Sequence, residues 1–484
     1  MKKILSHLEP KTVFEQFEQI CQIPHGSYNT KVLADYCEGV ALNNNCPCLR
    51  DGAGNLIITI PASPGHEAAE AIILQGHLDM VCEKSSQSTH DFKNDPLSLQ
   101  VNGDFISANQ TTLGADDGIG IAMCLALMAD HSIVHPKLYC VFTTEEEVGM
   151  DGAYALDLSS LSDVHQMINL DSEDEGQVTV GCAGGARVAC TFPLHRVKAK
   201  GLQATITVSG LAGGHSGDMI NKFGFNANIL MGKILAAISK EIDISISHLS
   251  GGTKDNAIPQ TAQAELLIGP DERESLDLLV NKLQNTYKNI AAPMDQNLSF
   301  TIQYGKTKQV EVLGPDSEEL VIFALGIAPN GVQAMNRSGK DVVDTSLNLG
   351  IVQMERSALV IIFNVRSTNN DSRDFLCEQL TAFSDFLGGS SKTTGQYPAW
   401  PKRNNSQLVR TLNTVYRKLF DHDLNIVTIH GGLECSLFAA ALPDLDIVSI
   451  GPDNLDIHTP NEHMSISSVN RTWQFLLEIL KTLA

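Results

Sequence analysis

The sequence lacks any apolar run approaching the roughly 18 residues that a membrane-spanning helix needs. Its opening residues, MKKILSHLEPKTVFEQ, carry two lysines but no continuous apolar stretch of the about 7–15 residues found in a secretory signal. Together these absences lead to the expectation of a cytoplasmic protein with no membrane partner. A disulfide frame is also missing. The 11 cysteines are an odd number without repeating spacing, and Cys124, Cys140 and Cys190 stand in apolar runs, so reduced, buried thiols are expected. Cys46 and Cys48, the closest pair, read as loop thiols. Low-complexity tracts are absent, and GCAGGA (181–186) lacks the Gly-x-Gly-x-x-Gly spacing of a dinucleotide loop. Positive charge is scarce. With 34 Lys and Arg against 56 Asp and Glu, the net charge of −22 repels nucleic acid and anionic membranes and leaves carboxylates to spare for cations.

At 484 residues, 43% of them hydrophobic, the chain is too long for one ordinary core and reads as a globular α/β protein of two domains. AIILQGHLDM (71–80), KLYCVFTTEEE (137–147) and QMINLDSE (166–173) are β-rich runs that end in polar residues. Between them, Asp117 to Met128 carries Ile119, Ala122, Met123, Ala126 and Leu127 at helical spacing. Alternating strands and helices imply parallel β-α units, whose ligands gather at the carboxyl ends of the strands, where the His and acidic residues lie. After VGCAGGARV (180–188) the texture changes. Strands at 203–210, 262–269, 345–355 and 358–367 and helices at 226–240, 271–290 and 371–387 form a weak strand-strand-helix duplication. This predicts an antiparallel sheet with helices on one face over about 187–395. A helix at 407–420, strands at 425–432 and 446–452, and a helix at 467–483 restore the β-α texture. Residues 1–186 and 396–484 therefore form one discontinuous domain, with 187–395 inserted as a lid.

Five segments carry candidate metal ligands: His77 in Gly-His-Leu-Asp, Asp116 in Leu-Gly-Ala-Asp-Asp-Gly, Glu147 closing Glu-Glu-Glu, Asp171 after Ile-Asn-Leu, and His458 in Asp-Ile-His-Thr-Pro. Two imidazoles and three carboxylates suit zinc, cobalt or manganese rather than a thiolate-rich structural zinc site. Taken one at a time, each has an ordinary reading. A strand-end His is usually hydrogen-bonded structure, Glu145–Glu147 a solvated turn, Asp116-Asp117-Gly a helix cap, and GGHSG a glycine loop. His430 and His463 read as structural, and His66, His90, His131 and His135 as loop histidines.

All five segments, in order, resemble the motif set of the co-catalytic zinc aminoacylases, carboxypeptidases and dipeptidases: His-x-Asp, a glycine-flanked Asp, Glu-Glu, Asp and a distant His. LQGHLDMVCEK, LGADDGIGIA, TTEEEVGMDGA and HGGLEC are similar, within that family, to the bacterial aminoacyl-histidine dipeptidases, which are carnosinase-like peptidases D. The resemblance implies a mixed-sheet α/β dinuclear-zinc hydrolase domain with an inserted α+β lid and dimerisation domain and two divalent ions per chain. Some relatives set the lid histidine of one subunit over its neighbour's metals and others use an enlarged lid within one chain; of the two, a homodimer is expected. It makes Asp116 the bridging ligand, with His77 and Asp171 on one ion and Glu147 and His458 on the other. Asp79 orients His77, and Glu146 is the general base that takes a proton from water and returns it to the leaving amine. The Asp116–Asp117 bond is implied to be cis, and Asp117 stands where relatives often carry Asn. In the lid, SGLAGGHSGD (209–218) matches the motif whose histidine, here His215, stabilises the oxyanion. Asn256 and Arg366 match substrate-linked positions, Arg366 suiting a free α-carboxylate. Gly432, after His430 and Gly431, matches a turn whose backbone lines the pocket. The implied substrates are Xaa-His dipeptides such as β-alanyl-histidine, with other dipeptides tolerated. An N-acyl-amino-acid deacylase, a tripeptidase, a site with one structural metal and a non-catalytic binding protein are the rivals.

Overall fold

The computed structural model describes residues 4–222, 224–336 and 342–484. It divides into two compact units. One comprises Met1–Gly181, Trp400–Thr428 and Leu433–Ala484, and the other Cys182–Ala399 with Ile429–Gly432. The chain enters the second unit before the 187 read from the sequence, because the glycines at 184 and 185 already belong to a strand, Gly184–Pro193, paired with Ala358–Ser367.

The first unit is built on an eight-stranded mixed sheet. Its order is Cys48–Arg50, Leu56–Ile60, Leu138–Thr143, Ile72–His77, Gln166–Asn169, Asp446–Ser449, Gln177–Cys182 and Asn425–Ile429. Ile72–His77 runs parallel to both Leu138–Thr143 and Gln166–Asn169, and Asp446–Ser449 runs parallel to Gln166–Asn169. All six residues of Ile72–His77 are buried, as expected for a strand covered on both faces, and its apolar run is correspondingly continuous. The Ala115–Ala129 helix is buried almost all round and packs on this strand and on the Lys11–Cys21 helix. It begins slightly before the expected Asp117, and Asp116 and Asp117 at its start have non-helical backbone angles. Phe14, Phe17, Leu74, Leu125 and Phe142 are among the fully buried side chains of this core. A small third sheet sets Asn454–Leu455 beside His463–Ser465, which pairs in turn with Phe105–Ala108.

In the second unit a nine-stranded sheet runs Ser299–Leu313, Arg196–Ser209, Ala262–Ile268, Ile244–Gly251, Val343–Met354, Ala358–Ser367, Gly184–Pro193 and Ser390–Tyr397, with Gly331–Met335 beside Val343–Met354. Its paired registers are antiparallel. The strands absent from the sequence reading include both sheet edges. Ser390–Tyr397 is nowhere fully buried and carries no apolar alternation, and Ser299–Leu313 alternates only at its ends, at Phe300, Ile302 and Tyr304 and again at Val310 and Val312, its middle being polar and exposed. The Pro315–Ile327 helix also went unread, and its apolar residues are not confined to one face. No helix among the described residues is long and apolar enough to cross a membrane.

Candidate metal centre

Three parallel strands end in one place. His77 closes Ile72–His77 in register with Thr143, three residues before Glu146, and Asp171 follows two residues after Gln166–Asn169. Asp116 enters from the turn at Gly114, whose φ of 67° suits glycine, and the Asp116–Asp117 peptide is cis. His458, with a φ of 60°, arrives from the loop between Asn454–Leu455 and His463–Ser465.

The side chains converge on Asp116. His77 Nε2 lies 2.9 Å from Asp116 Oδ1, and His458 Nε2 lies 3.1 Å from Asp116 Oδ2. Asp171 Oδ1 is 3.6 Å from His77 Nε2, and Glu147 Oε2 is 3.0 Å from His458 Nε2. Two triads therefore share one aspartate: His77, Asp116 and Asp171, and Asp116, Glu147 and His458. His77, Glu146 and Glu147 form a third close group.

The donor set fits cations. His77 Nδ1 lies 3.0 Å from the Asp79 carbonyl, which fixes its N–H there and turns the Nε2 lone pair toward Asp116 Oδ1. A lone pair facing a carboxylate oxygen at that distance calls for positive charge between them. The same demand shows in the ionisation of the cluster. Burial opposes the charge on His77, yet Asp171 and Asp116 hold its pKa well above the ordinary histidine value. Burial likewise opposes His458, but Asp116 and Glu147 push it up to about 11. Burial and the Asp116 charge push Glu147 up to about 7, and burial lifts Asp171 to about 6. Glu147 Oε1 is buried without a hydrogen-bond partner. Carboxylates crowded in low dielectric are made compatible with ionisation by a bound cation.

Asp79 does more than orient one imidazole. Its carbonyl, rather than its carboxylate, makes the shorter contact to His77 Nδ1, the carboxylate Oδ1 standing at 3.6 Å. The carboxylate accepts the Glu146 N–H at 2.9 Å, the Glu147 N–H at 3.3 Å and the Ser27 hydroxyl at 2.8 Å. It thereby holds the glutamate turn against the His77 strand. Burial, joined by the Glu147, Asp171 and Glu434 charges and opposed by His77, raises the Glu146 carboxyl well above the usual glutamate range.

Several supporting residues were not singled out in the sequence. Gln75 and Asn169, polar positions inside apolar strands, stand two residues before His77 and Asp171. Asn169 Nδ2 donates to Gln75 Oε1 at 2.6 Å, and Gln75 Nε2 and Thr143 Oγ1 donate to Glu434 Oε2 at 2.5 and 2.6 Å. Glu434 is fully buried, and burial pushes its carboxyl up to about 8. Asp117, also buried, accepts the His77 N–H at 3.2 Å, and its carboxyl lies between Gly76 and Gly120. Gln75 and Asn169 signal themselves only as polar residues interrupting apolar strands, while Glu434 stands in HGGLEC and Asp117 in LGADDGIGIA, motifs that do not show these contacts.

In the second unit, a transverse row of register partners forms its own polar cluster: Ser346 opposite Arg366, Arg366 opposite Gly185, and Gly185 opposite Tyr397. Arg366, 6% exposed, donates to the Tyr397 hydroxyl at 3.2 Å and to His215 Nε2 at 3.3 Å, while its Nε is buried without a partner. His215 Nδ1 lies 3.2 Å from Asp218 Oδ2. Asn256 is exposed, and its backbone carbonyl accepts the Ser216 N–H at 2.8 Å, so it braces the His215 turn through main chain. A Cβ on Gly432 would lie 2.8 Å from the Tyr397 ring. His430, read as structural, is buried with Nε2 2.8 Å from the Ser346 hydroxyl and Nδ1 unpartnered. His463 Nδ1 meets the Asn461 carbonyl at 2.8 Å.

A mixed α/β sheet whose parallel strands end in a cluster of His, Asp and Glu has the make-up of a metal centre of the catalytic kind, with no thiolate among its donors. Residues 73–482 match the model of Peptidase family M20/M25/M40, and the chain belongs to that family; it is a metallopeptidase that hydrolyses peptide bonds. The family resemblance drawn from the five motifs is borne out. The chain is 38% identical over 480 residues to the cytosol non-specific dipeptidase of Escherichia coli (strain K12), covering 99% of this chain and 98% of the relative. It superposes on the crystal structure of aminoacylhistidine dipeptidase from Vibrio alginolyticus with a TM-score of 0.84 and 33% identity, over 100% of this chain and 99% of the other. A tripeptidase from Staphylococcus aureus shares the fold at a TM-score of 0.57 and 17% identity, over 98% of this chain and 99% of its own.

Proposed function

We propose that this metallopeptidase is a cytoplasmic dipeptidase that cleaves Xaa-His dipeptides, with Glu146 as general base and two divalent ions, zinc by preference, as cofactors. His77 and Asp171 would hold one ion, Glu147 and His458 the other, and Asp116 both. The observation that carries this reading is that the two oxygens of Asp116 each face a different imidazole. The name of the Escherichia coli protein, matched over nearly the whole chain, supports a dipeptide substrate and the compartment, and that of the Vibrio alginolyticus protein supports the Xaa-His class.

Bound there, divalent ions supply Lewis-acid polarisation of the scissile carbonyl and lower the pKa of the attacking water. The chain's own residues do the rest. Glu146, in a close group with His77 and Glu147, takes a proton from the water and hands it to the leaving amine. Asp79 keeps that glutamate at its post through the Glu146 N–H. His215, its ring braced by Asp218 at Nδ1, donates to the developing oxyanion. Arg366 pairs with the free carboxylate of the substrate, the planar fork of its guanidinium suiting that group. Asn256 and Gly432 complete the substrate side by backbone support and by leaving room beside Tyr397.

The test is chelation of the purified protein followed by add-back of zinc, cobalt or manganese against carnosine, other dipeptides, N-acetyl amino acids and tripeptides. Metal-restored cleavage of Xaa-His dipeptides is expected. Preference for N-acetyl amino acids or tripeptides would overturn the substrate assignment, and activity indifferent to chelation would overturn the metal centre.

A further inference from the structure

We propose that Glu462 is a positioning residue of the metal centre, clamping the turn that carries Asp116 to the loop that carries His458. Its side chain is 2% exposed and belongs to no candidate ligand group. Oε2 accepts the backbone N–H of Leu113 at 2.7 Å and of Gly114 at 3.1 Å. Oε1 accepts that of Ala115 at 2.9 Å and, more weakly, that of Asp116 at 3.5 Å. Four consecutive N–H groups converge about the left-handed Gly114, which bends the chain into a concave, anion-binding nest. Asn454 Nδ2 adds a contact to Oε1 at 3.4 Å.

The other end of the clamp is covalent. Glu462 lies four residues after His458 in the loop between Asn454–Leu455 and His463–Ser465, and its own N–H closes on the Thr459 carbonyl at 3.1 Å. One carboxylate thus sets the separation of Asp116 and His458, two members of one ligand triad. Only an ionised carboxylate suits the task. It is acceptor-only at both oxygens, whereas a glutamine would turn an NH2 group toward N–H donors and lose half the cradle. Burial and the Asp116 charge raise the Glu462 carboxyl, and the N–H groups of Leu113, Gly114 and Ala115 counter that shift only in part.

The inference rests on reading the cluster as a two-ion site, and the experiment separates the two claims. The parent protein, Glu462→Gln and Glu462→Asp are each stripped of metal, titrated with zinc and with cobalt(II), and examined by elemental analysis after dialysis and by the cobalt absorption spectrum. Thermal unfolding of the metal-free forms is measured alongside. The parent is expected to retain two ions per chain. Glu462→Gln is expected to retain one, with the other bound about 10–100-fold more weakly and with an altered cobalt spectrum. Glu462→Asp keeps the charge but withdraws it by one methylene, and shows an intermediate loss; it decides the matter where the glutamine variant fails to fold. If both variants lose only stability in the metal-free state and bind two ions with parental affinity and spectrum, Glu462 is merely structural and the proposal is overturned. A parent that binds no divalent ion overturns the two-ion reading as well.

Discussion

Asp116 and His458, separated by 342 positions in the chain, meet at 3.1 Å between Oδ2 and Nε2. The contact brings the carboxyl-terminal loop to the start of the helix after the His77 strand. The first unit is therefore chemically complete only when its amino- and carboxyl-terminal parts fold into one sheet.

Replacing Glu146 with glutamine keeps the volume and removes the base. With Asp79 still holding the backbone N–H, the turn keeps its place. We expect kcat to fall by roughly 10²–10⁴-fold while metal content is unchanged. Steady-state kinetics alongside elemental analysis checks this, and near-parental kcat would remove Glu146 from the mechanism.

Arg366→Lys keeps the charge and loses the planar fork, along with the paired contacts to Tyr397 and His215. For a dipeptide with a free carboxylate, kcat/KM should drop about 10–100-fold, corresponding to roughly 1.5–3 kcal/mol for a charged hydrogen bond. For the matching dipeptide amide, the variant and parent should differ little. An equal loss on both substrates would show that Arg366 supports the fold rather than reading the carboxylate.

Burial, then the nearby Arg366 charge, lowers the pKa of His430 from 6.5 to about 4, with Asp344 and Asp218 pulling the other way and His215 lowering it further. The sign follows from linkage. The unfolded chain takes up this proton near 6.5 and the folded chain only near 4, so stability falls as pH drops through that window and is unaffected above it. The loss from this one group amounts to at most roughly 3 kcal/mol. Urea unfolding at pH 7.5 and pH 4.5 measures it, and the difference between the two should be smaller in His430→Asn. An equal pH dependence in both proteins would mean His430 does not titrate this way.

Gly76→Ala is expected to be costly although the position lies in a regular strand. The added Cβ would stand 2.0 Å from Asp117 Oδ2, the oxygen that accepts the His77 N–H. Forcing that buried carboxyl aside should cost about 1–3 kcal/mol of stability and displace the His77 strand end. Chemical denaturation reads the first effect and metal titration the second. A fully stable variant with parental metal affinity would contradict this packing.

Much of the molecule was legible in advance, and unevenly. Strands with strong apolar runs, such as Ala358–Ser367, and amphipathic helices such as Gln407–Phe420 stand where their periodicity put them. The sheet edges Ser299–Leu313 and Ser390–Tyr397 did not announce themselves, because an edge strand facing water carries little hydrophobic signal. Gln75 showed only as a polar interruption of a strand and Glu434 only as one letter of HGGLEC, since their meaning lies in each other and in Thr143.

By itself the sequence determined the chemical inventory: which imidazoles and carboxylates stand at strand ends and turns, because each such motif is short and its backbone setting is local. Tertiary structure alone decided how they share their work. It gave the two oxygens of Asp116 to different histidines, assigned the carbonyl of Asp79 to His77 and its carboxylate to the glutamate turn, and set Glu462 beneath four backbone N–H groups. Those contacts join distant segments, and their distances follow from the packing of whole sheets and loops, on which no local pattern of residues bears.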